Sequence, residues 1–173
     1  MIYKAIIPLL RMSTSPVLIN DEIGQAVGTM NRYHSSKIQR LMNTLFDNVV
    51  NNVQAFNLEG EVQADIKEIN TIKTLLMEKW HVRLREQHFI CENRTKIRTH
   101  PQFYYEKGTV KVWIKKDFTD RTIRFTVDQV VVAEVYPEGL LPPKSNHLTF
   151  KIWDARFDIY EIASLYYVFN LKN

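Results

Sequence analysis

The sequence predicts an α+β domain: N-terminal helices that include an antiparallel hairpin (about 35–56 and 61–79), then a mainly antiparallel sheet (about 109–153) and a C-terminal helix. Three observations predict it. Apolar residues recur at three- and four-residue steps from Ile38 to Phe56 and again from Val62 to Trp80. Thr109–Lys116 alternates instead, with Val110, Val112 and Ile114 on one side. The helical patterns also come before the alternating ones, which favours segregated layers over a doubly wound parallel sheet.

Each element has a local reason. Met1–Leu10 reads as an extended segment packed on the domain, because Lys4 and Pro8 interrupt what would otherwise resemble a short signal-peptide core. Asn20-Asp21-Glu22 supplies cap residues and first-turn acid for a short helix over roughly 21–31. Ser35-Ser36 caps the first arm of the hairpin, and Asn57-Leu58-Glu59-Gly60 stops it. His81–Arg85 alternates like a strand, with a continuation of the preceding helix as the alternative. Asp117–Asp120 turns the chain into Thr122–Tyr136, a run rich in β-branched residues. Pro137–Pro143 is a loop, and Leu148–Trp153 a third strand. Over about 157–170, Asp158-Ile-Tyr-Glu161 resembles a capping box ahead of Ile162, Ala163, Tyr166 and Phe169, with a strand at Leu165–Leu171 as the alternative.

The 173 residues fit one domain, helical over about 20–80 and sheet-like over 81–173. Hydrophobic residues make up 45%, enough for a packed core, so disorder of the whole chain is excluded. The lone Cys91 excludes an internal disulfide framework and suits a reducing compartment. No apolar run reaches the ~18 residues a membrane-spanning helix needs. These features place the protein inside the cell, cytoplasmic or virion-associated, and not secreted.

Charge is distributed unevenly. Twelve Lys and Arg face five Asp and Glu between Lys79 and Arg124, while the segments on either side are slightly acidic. A concentration of this kind points to a polyanionic partner: nucleic acid, nucleoprotein or an anionic membrane surface. Two groups carry it. Arg94, Lys96 and Arg98, continued by His100, would form a cationic row if extended, suited to a phosphate backbone or to protecting an exposed sheet edge. On the sheet, Lys111, Trp113 and Lys115 share a face with Arg124 and Thr126, and Lys151 and Trp153 join them, with Arg121 beside the turn. Cations next to flat rings suit single-stranded nucleic acid or lipid headgroups. If the hairpin covers one sheet face and the N-terminal segment the other, both tryptophans are core and the lysines reach out at the edge. A one-residue slip in register decides between the two readings.

Chemistry has little support in the chain. His81, His88, Cys91 and His100 lack the paired short spacings of zinc modules. Asp120 and Glu134 are similar to the acids of metal-dependent nucleases, but Tyr136 stands where such a site needs lysine, and Lys151 would have to replace it. No phosphate loop or nucleophile elbow is present. The expectation is therefore a non-enzymatic structural or assembly protein, of the kind found in viral or phage virions, that self-associates and meets its acidic partner through 79–124. A dedicated single-stranded nucleic-acid-binding module and a degenerate nuclease are the alternatives. No catalytic residue, cofactor or metal site is expected.

Overall fold

The computed structural model describes residues 1–8, 13–35, 51–69, 78–97 and 99–172. Among them the chain runs up and down through twelve strands: β1 (Ile2–Ile6), β2 (Val17–Asp21), β3 (Ala26–Tyr33), β4 (Asn52–Asn57), β5 (Val62–Glu68), β6 (Lys79–Leu84), β7 (Gln87–Asn93), β8 (Gln102–Lys107), β9 (Val110–Lys116), β10 (Ile123–Val127), β11 (Val130–Pro137) and β12 (His147–Ile152). Each strand pairs antiparallel with the next in sequence. β1 also pairs with β12, Ile2 opposite Lys151 and Ala5 opposite Leu148, so the sheet closes into a barrel. Helix α1 (Ile159–Lys172) follows the last strand.

Alternation explains the wall. On β9, Val112 and Ile114 are fully buried while Lys111 and Lys115 are exposed. On β6, Trp80, Val82 and Leu84 point in while His81 and Arg83 point out. The barrel is thus apolar inside and polar outside, the reverse of a membrane-spanning barrel.

What fills the interior is α1. Its sequence, IYEIASLYYVFNLK, is apolar almost all round, and Ile159, Ile162, Ala163, Leu165, Tyr166, Tyr167, Val168, Phe169 and Leu171 are all buried. A helix without a polar stripe belongs in a core. Its contacts come from different sides of the wall: Phe169 meets Phe103 of β8 edge-on at 4.8 Å, Phe150 of β12 meets Tyr166 at 5.8 Å, and the Tyr160 hydroxyl donates to the Val27 carbonyl of β3 at 2.7 Å. The helix is the core of the barrel.

The predicted α+β architecture is therefore corrected to an all-antiparallel barrel with one buried C-terminal helix among the described residues. Over 109–153 the sequence predicts three strands and the structure has four, because the run Thr122–Tyr136 is β10 and β11 turned at Asp128-Gln129. The helix at about 157–170 is present, and Asp158 Oδ1 accepts the Glu161 N–H at 2.8 Å as the cap pattern implied. The helical hairpin is not. Residues 36–50 and 70–77 lie outside the described residues, but the rest of the two predicted arms is β4, β5 and the start of β6. Isoleucines spaced by three at 66, 69 and 72 imitated a helical stripe, while Gln63, Asp65 and Lys67 alternate with the buried Ala64 and Ile66 of a strand. The presumed helix stop is a hairpin turn, with Gly60 at φ +80° and the Glu61 N–H bonded to Asn57 Oδ1 at 2.8 Å.

The helix expected over 21–31 is likewise a turn and a strand. Asp21 Oδ1 accepts the N–H groups of Ile23 and Gln25, at 3.1 and 2.8 Å. The side-chain chemistry that caps a helix serves equally well to close an Asx turn, so those cap residues did not discriminate.

Gly28 on β3 lies where the helix touches the wall. A Cβ there would collide with the Phe56 carbonyl and stand 2.8 Å from Cε1 of Tyr160. Gly28→Ala is expected to destabilise the fold by about 1–3 kcal/mol through overpacking, read as a lower denaturation midpoint with an unchanged slope.

A candidate anionic-surface site

The basic window separates into paired and unpaired charge. Lys79 pairs with Glu92 at 2.6 Å, Arg83 with Asp65 at 3.5 Å, Arg85 with Asp158 at 3.8 Å and Arg94 with Glu92 at 3.1 Å. Lys107 reaches the buried Glu161 at 2.6 Å. Arg124 is bound by three acids: Asp120 at 2.6 Å, Glu134 at 3.1 Å and Asp117 at 3.4 Å. Several of these partners come from outside the window, so much of its +7 is neutralised in three dimensions. Among the described residues, Lys96, Lys111, Lys115, Lys116 and Arg121 form no ion pair, and neither does Lys151 on β12.

Register turns this face outward, where the sequence left core and surface both open. Trp113 stands opposite Thr126, Lys115 opposite Arg124, Arg124 opposite Glu134, and Glu134 opposite Lys151, so one outward row crosses β9 to β12. Trp113 is half-buried and Trp153, just beyond β12, is 57% exposed. Neither belongs to the core, where Trp80 sits instead, stacked on Phe103 at 4.8 Å.

The ring of Trp113 is already occupied. Tyr104 lies 4.8 Å from it, Lys115 Nζ 5.1 Å and the Arg94 guanidinium 5.9 Å, while Arg94 also covers Tyr104 at 4.2 Å. These contacts crowd the Trp113 ring against a stacked base. Lys151 similarly covers Tyr136 at 5.2 Å.

Of the row expected at Arg94–His100, the described residues do not line up. Arg94 folds back on Glu92, the chain turns at Ile97–His100 with a 2.9 Å bond between their backbones, and His100 Nδ1 meets Thr99 Oγ1 at 2.9 Å. Lys96 is exposed, and Arg98 lies outside the described residues. The zinc combination is impossible in this register: Cys91 points into the barrel, whereas His81 and His88 are on its outer wall. Among the described residues no cluster of metal-ligating side chains exists. Asp120 and Glu134 do converge, but on Arg124. Its guanidinium occupies the space between them, and the Asp120 carboxyl is held below the ordinary carboxylate range first by the Thr122 N–H and then by Arg124.

Sequence reasoning missed Lys116 and Lys107. Both share the inward parity of their strands and so looked excluded from the surface. Each is the last residue of its strand, where an inward side chain emerges at the barrel rim. A cation at an inward position of a strand end was the available signal.

Closure, register and the central helix can be compared with known proteins. The family model of the Tubby C-terminal like domain matches residues 3–173. The chain belongs to this family. A solved X-ray structure of a protein from Arabidopsis thaliana has the same fold at TM-score 0.53 and 13% identity, covering 98% of this chain and 89% of that one. Comparison with curated proteins gives no match. A Tubby-like barrel replaces the virion-component reading and its nuclease alternative. The physical reason is plain: where the predicted hairpin falls on described residues it is barrel wall, and a closed barrel has no free edge to polymerise through. No helix among the described residues is long and apolar enough to cross a membrane.

Proposed function

We propose that this Tubby-like domain is a non-enzymatic module that binds an anionic phospholipid surface. The observation that carries it is the set of outward cations around β9 without ion-pair partners, Lys96, Lys111, Lys115, Lys116 and Arg121, next to acids already committed to Arg124. An unpaired surface lysine gains about 1 kcal/mol beside an anionic leaflet, whereas a paired one must first lose its partner. Binding of phosphoinositides and other anionic partners by Tubby-like domains supports the same reading. Trp113, covered by its own cations, disfavours single-stranded nucleic acid. An intracellular location follows, because the anionic leaflet faces the cytoplasm.

Vesicle co-sedimentation tests it. Binding is expected to phosphatidylcholine vesicles doped with phosphatidylinositol phosphate, to weaken steeply with salt, and to fall about fivefold for each charge removed in Lys96→Gln and Lys115→Gln. Equal binding to pure phosphatidylcholine, or none to charged vesicles at low salt, rules the membrane out. Preference for duplex DNA over charged vesicles would move the partner to nucleic acid.

A further inference from the structure

The meander makes the two ends of the barrel different. Connections after odd-numbered strands all leave at one end, and short turns after even-numbered strands at the other. The short-turn end carries Glu22, Glu59, Glu86 and Asp128, exposed and without ion pairs among the described residues, against the unpaired Lys111 at the start of β9. At the long-loop end the balance is opposite. Asp117 and Asp120 are bound to Arg124, and Glu138 lies 3.7 Å from both Lys4 and His147. Lys96, Lys115, Lys116, Arg121 and Lys144 remain uncompensated there. The barrel is electrically bipolar along its axis.

A cleft of about 370 Å³ opens within this basic end. Lys116, Arg121, Ser145, Asn146, Tyr166 and Asn170 supply its polar lining, and no carboxylate contributes among the described residues. Arg121 spends one N–H on the Leu140 carbonyl at 2.5 Å, leaving its other donors available. Tyr166 is decisive. It is only 5% exposed, it lines the cleft from the central helix, and its hydroxyl makes no hydrogen bond to another described residue. Burial raises its pKa, so the hydroxyl keeps its proton and can donate. A protonated hydroxyl open to the cleft, next to two cations and with no carboxylate among the described lining residues, fits a phosphate ester. Beside the cleft, Leu140 and Leu141 at the loop tip are 72% and 75% exposed, their apolar side chains presented to solvent.

We propose that the long-loop end is the membrane-facing end, with the cleft of Lys116, Arg121 and Tyr166 taking the phosphate of a phospholipid headgroup while Leu140 and Leu141 enter the interface. This rests on the anionic-membrane reading above and adds site, orientation and ligand group to it. The acidic short-turn end would be repelled by the same surface, so only one orientation binds.

The experiment compares variants on phosphatidylcholine vesicles containing phosphatidylinositol phosphate and, separately, on a soluble inositol phosphate. Lys116→Gln with Arg121→Gln is expected to weaken vesicle binding roughly thirtyfold, about a factor of five per charge. Tyr166→Phe, which keeps the packing, should weaken both ligands about fivefold, the worth of one hydrogen bond. Leu140→Ser with Leu141→Ser should reduce vesicle binding and leave the soluble ligand unaffected. Arg156→Gln, at the short-turn end, serves as the control. Wild-type-like vesicle binding by the Lys116/Arg121 variant, with a wild type that does bind, overturns the cleft and leaves the general reading standing. Absence of binding by the wild type to any charged vesicle overturns the general reading itself. Tight capture of the soluble ester with no vesicle binding overturns the lipid assignment.

Discussion

Phe169→Ala is expected to lower stability by about 3–5 kcal/mol, the range for truncating a fully buried aromatic residue. Phe169 has no exposed surface, stands edge-on to Phe103 at 4.8 Å, and through it joins the stack on Trp80. Removing the ring opens a void in the middle of a closed barrel. Hydrogen-bonded strands on every side cannot collapse into it, so relaxation recovers little. For a chain of this size the melting temperature should drop by roughly 2–4 °C per kcal/mol. Trp113→Ala, on the outer wall, should cost far less. Chemical denaturation of both variants checks the contrast, and similar losses would contradict the placement of the helix inside the barrel.

The second large effect concerns Glu161. This carboxylate is 2% exposed and accepts from the Tyr105 hydroxyl at 2.7 Å and from Lys107 Nζ at 2.6 Å. Lys107 in turn donates to the Arg156 carbonyl at 2.9 Å and lies 4.4 Å from the centre of the Phe157 ring. Glu161→Ala strands the lysine in a poorly solvated rim and leaves a buried hydroxyl without its acceptor. A loss of about 3–5 kcal/mol is expected. Adding Lys107→Met should restore much of it, because the replaced pair no longer leaves an uncompensated charge.

The pH dependence follows from the same burial. Desolvation raises the Glu161 carboxyl above its ordinary value, and the opposing pull of Lys107 and Tyr105 does not cancel the rise. Between the unfolded value and the raised folded value, the folded state binds more protons than the unfolded state. Stability contributed by this group therefore falls as pH increases through that window and levels off above it. Glu161→Gln should flatten that part of the profile. A slope of opposite sign would mean that the ion pair, and not burial, governs the group.

The outer sheet was readable because its periodicity had no competitor. Lys111, Trp113 and Lys115 alternate cleanly with Val112 and Ile114, and the observed register keeps them outward. The capping pattern at Asp158–Glu161 was equally clear. The first half misled for a physical reason. A barrel wall needs only its inward positions to be apolar, yet its outer face holds half-buried residues such as Phe56. Such residues fill in gaps in the alternation and produce three- and four-residue steps. Near Asn57 and Asp21, turn chemistry and helix-end chemistry use the same side chains. The decisive hint was in α1: a segment apolar on every side must be surrounded, and a helix can be surrounded by a barrel.

For the site, sequence alone gave the concentration of positive charge but not its cancellation. Arg124 looked like part of a binding face and is instead the hub of three carboxylates, two of them distant by only a few residues. Lys116 looked inward and reaches the rim. Both outcomes depend on where strands end, which is the least legible feature of a sequence.

The seam between β1 and β12 has a consequence for biosynthesis. Ile2 must wait for Lys151 before the wall can close, and α1 follows every strand in the chain. A ribosome adding roughly 5–20 residues per second therefore exposes an unsealed, unfilled sheet for most of the time the domain takes to emerge. Its greasy inner face has nothing to cover it until the final helix arrives. Nascent chains stalled before Ile159 should be conspicuous chaperone clients, and release of the last helix should end that dependence.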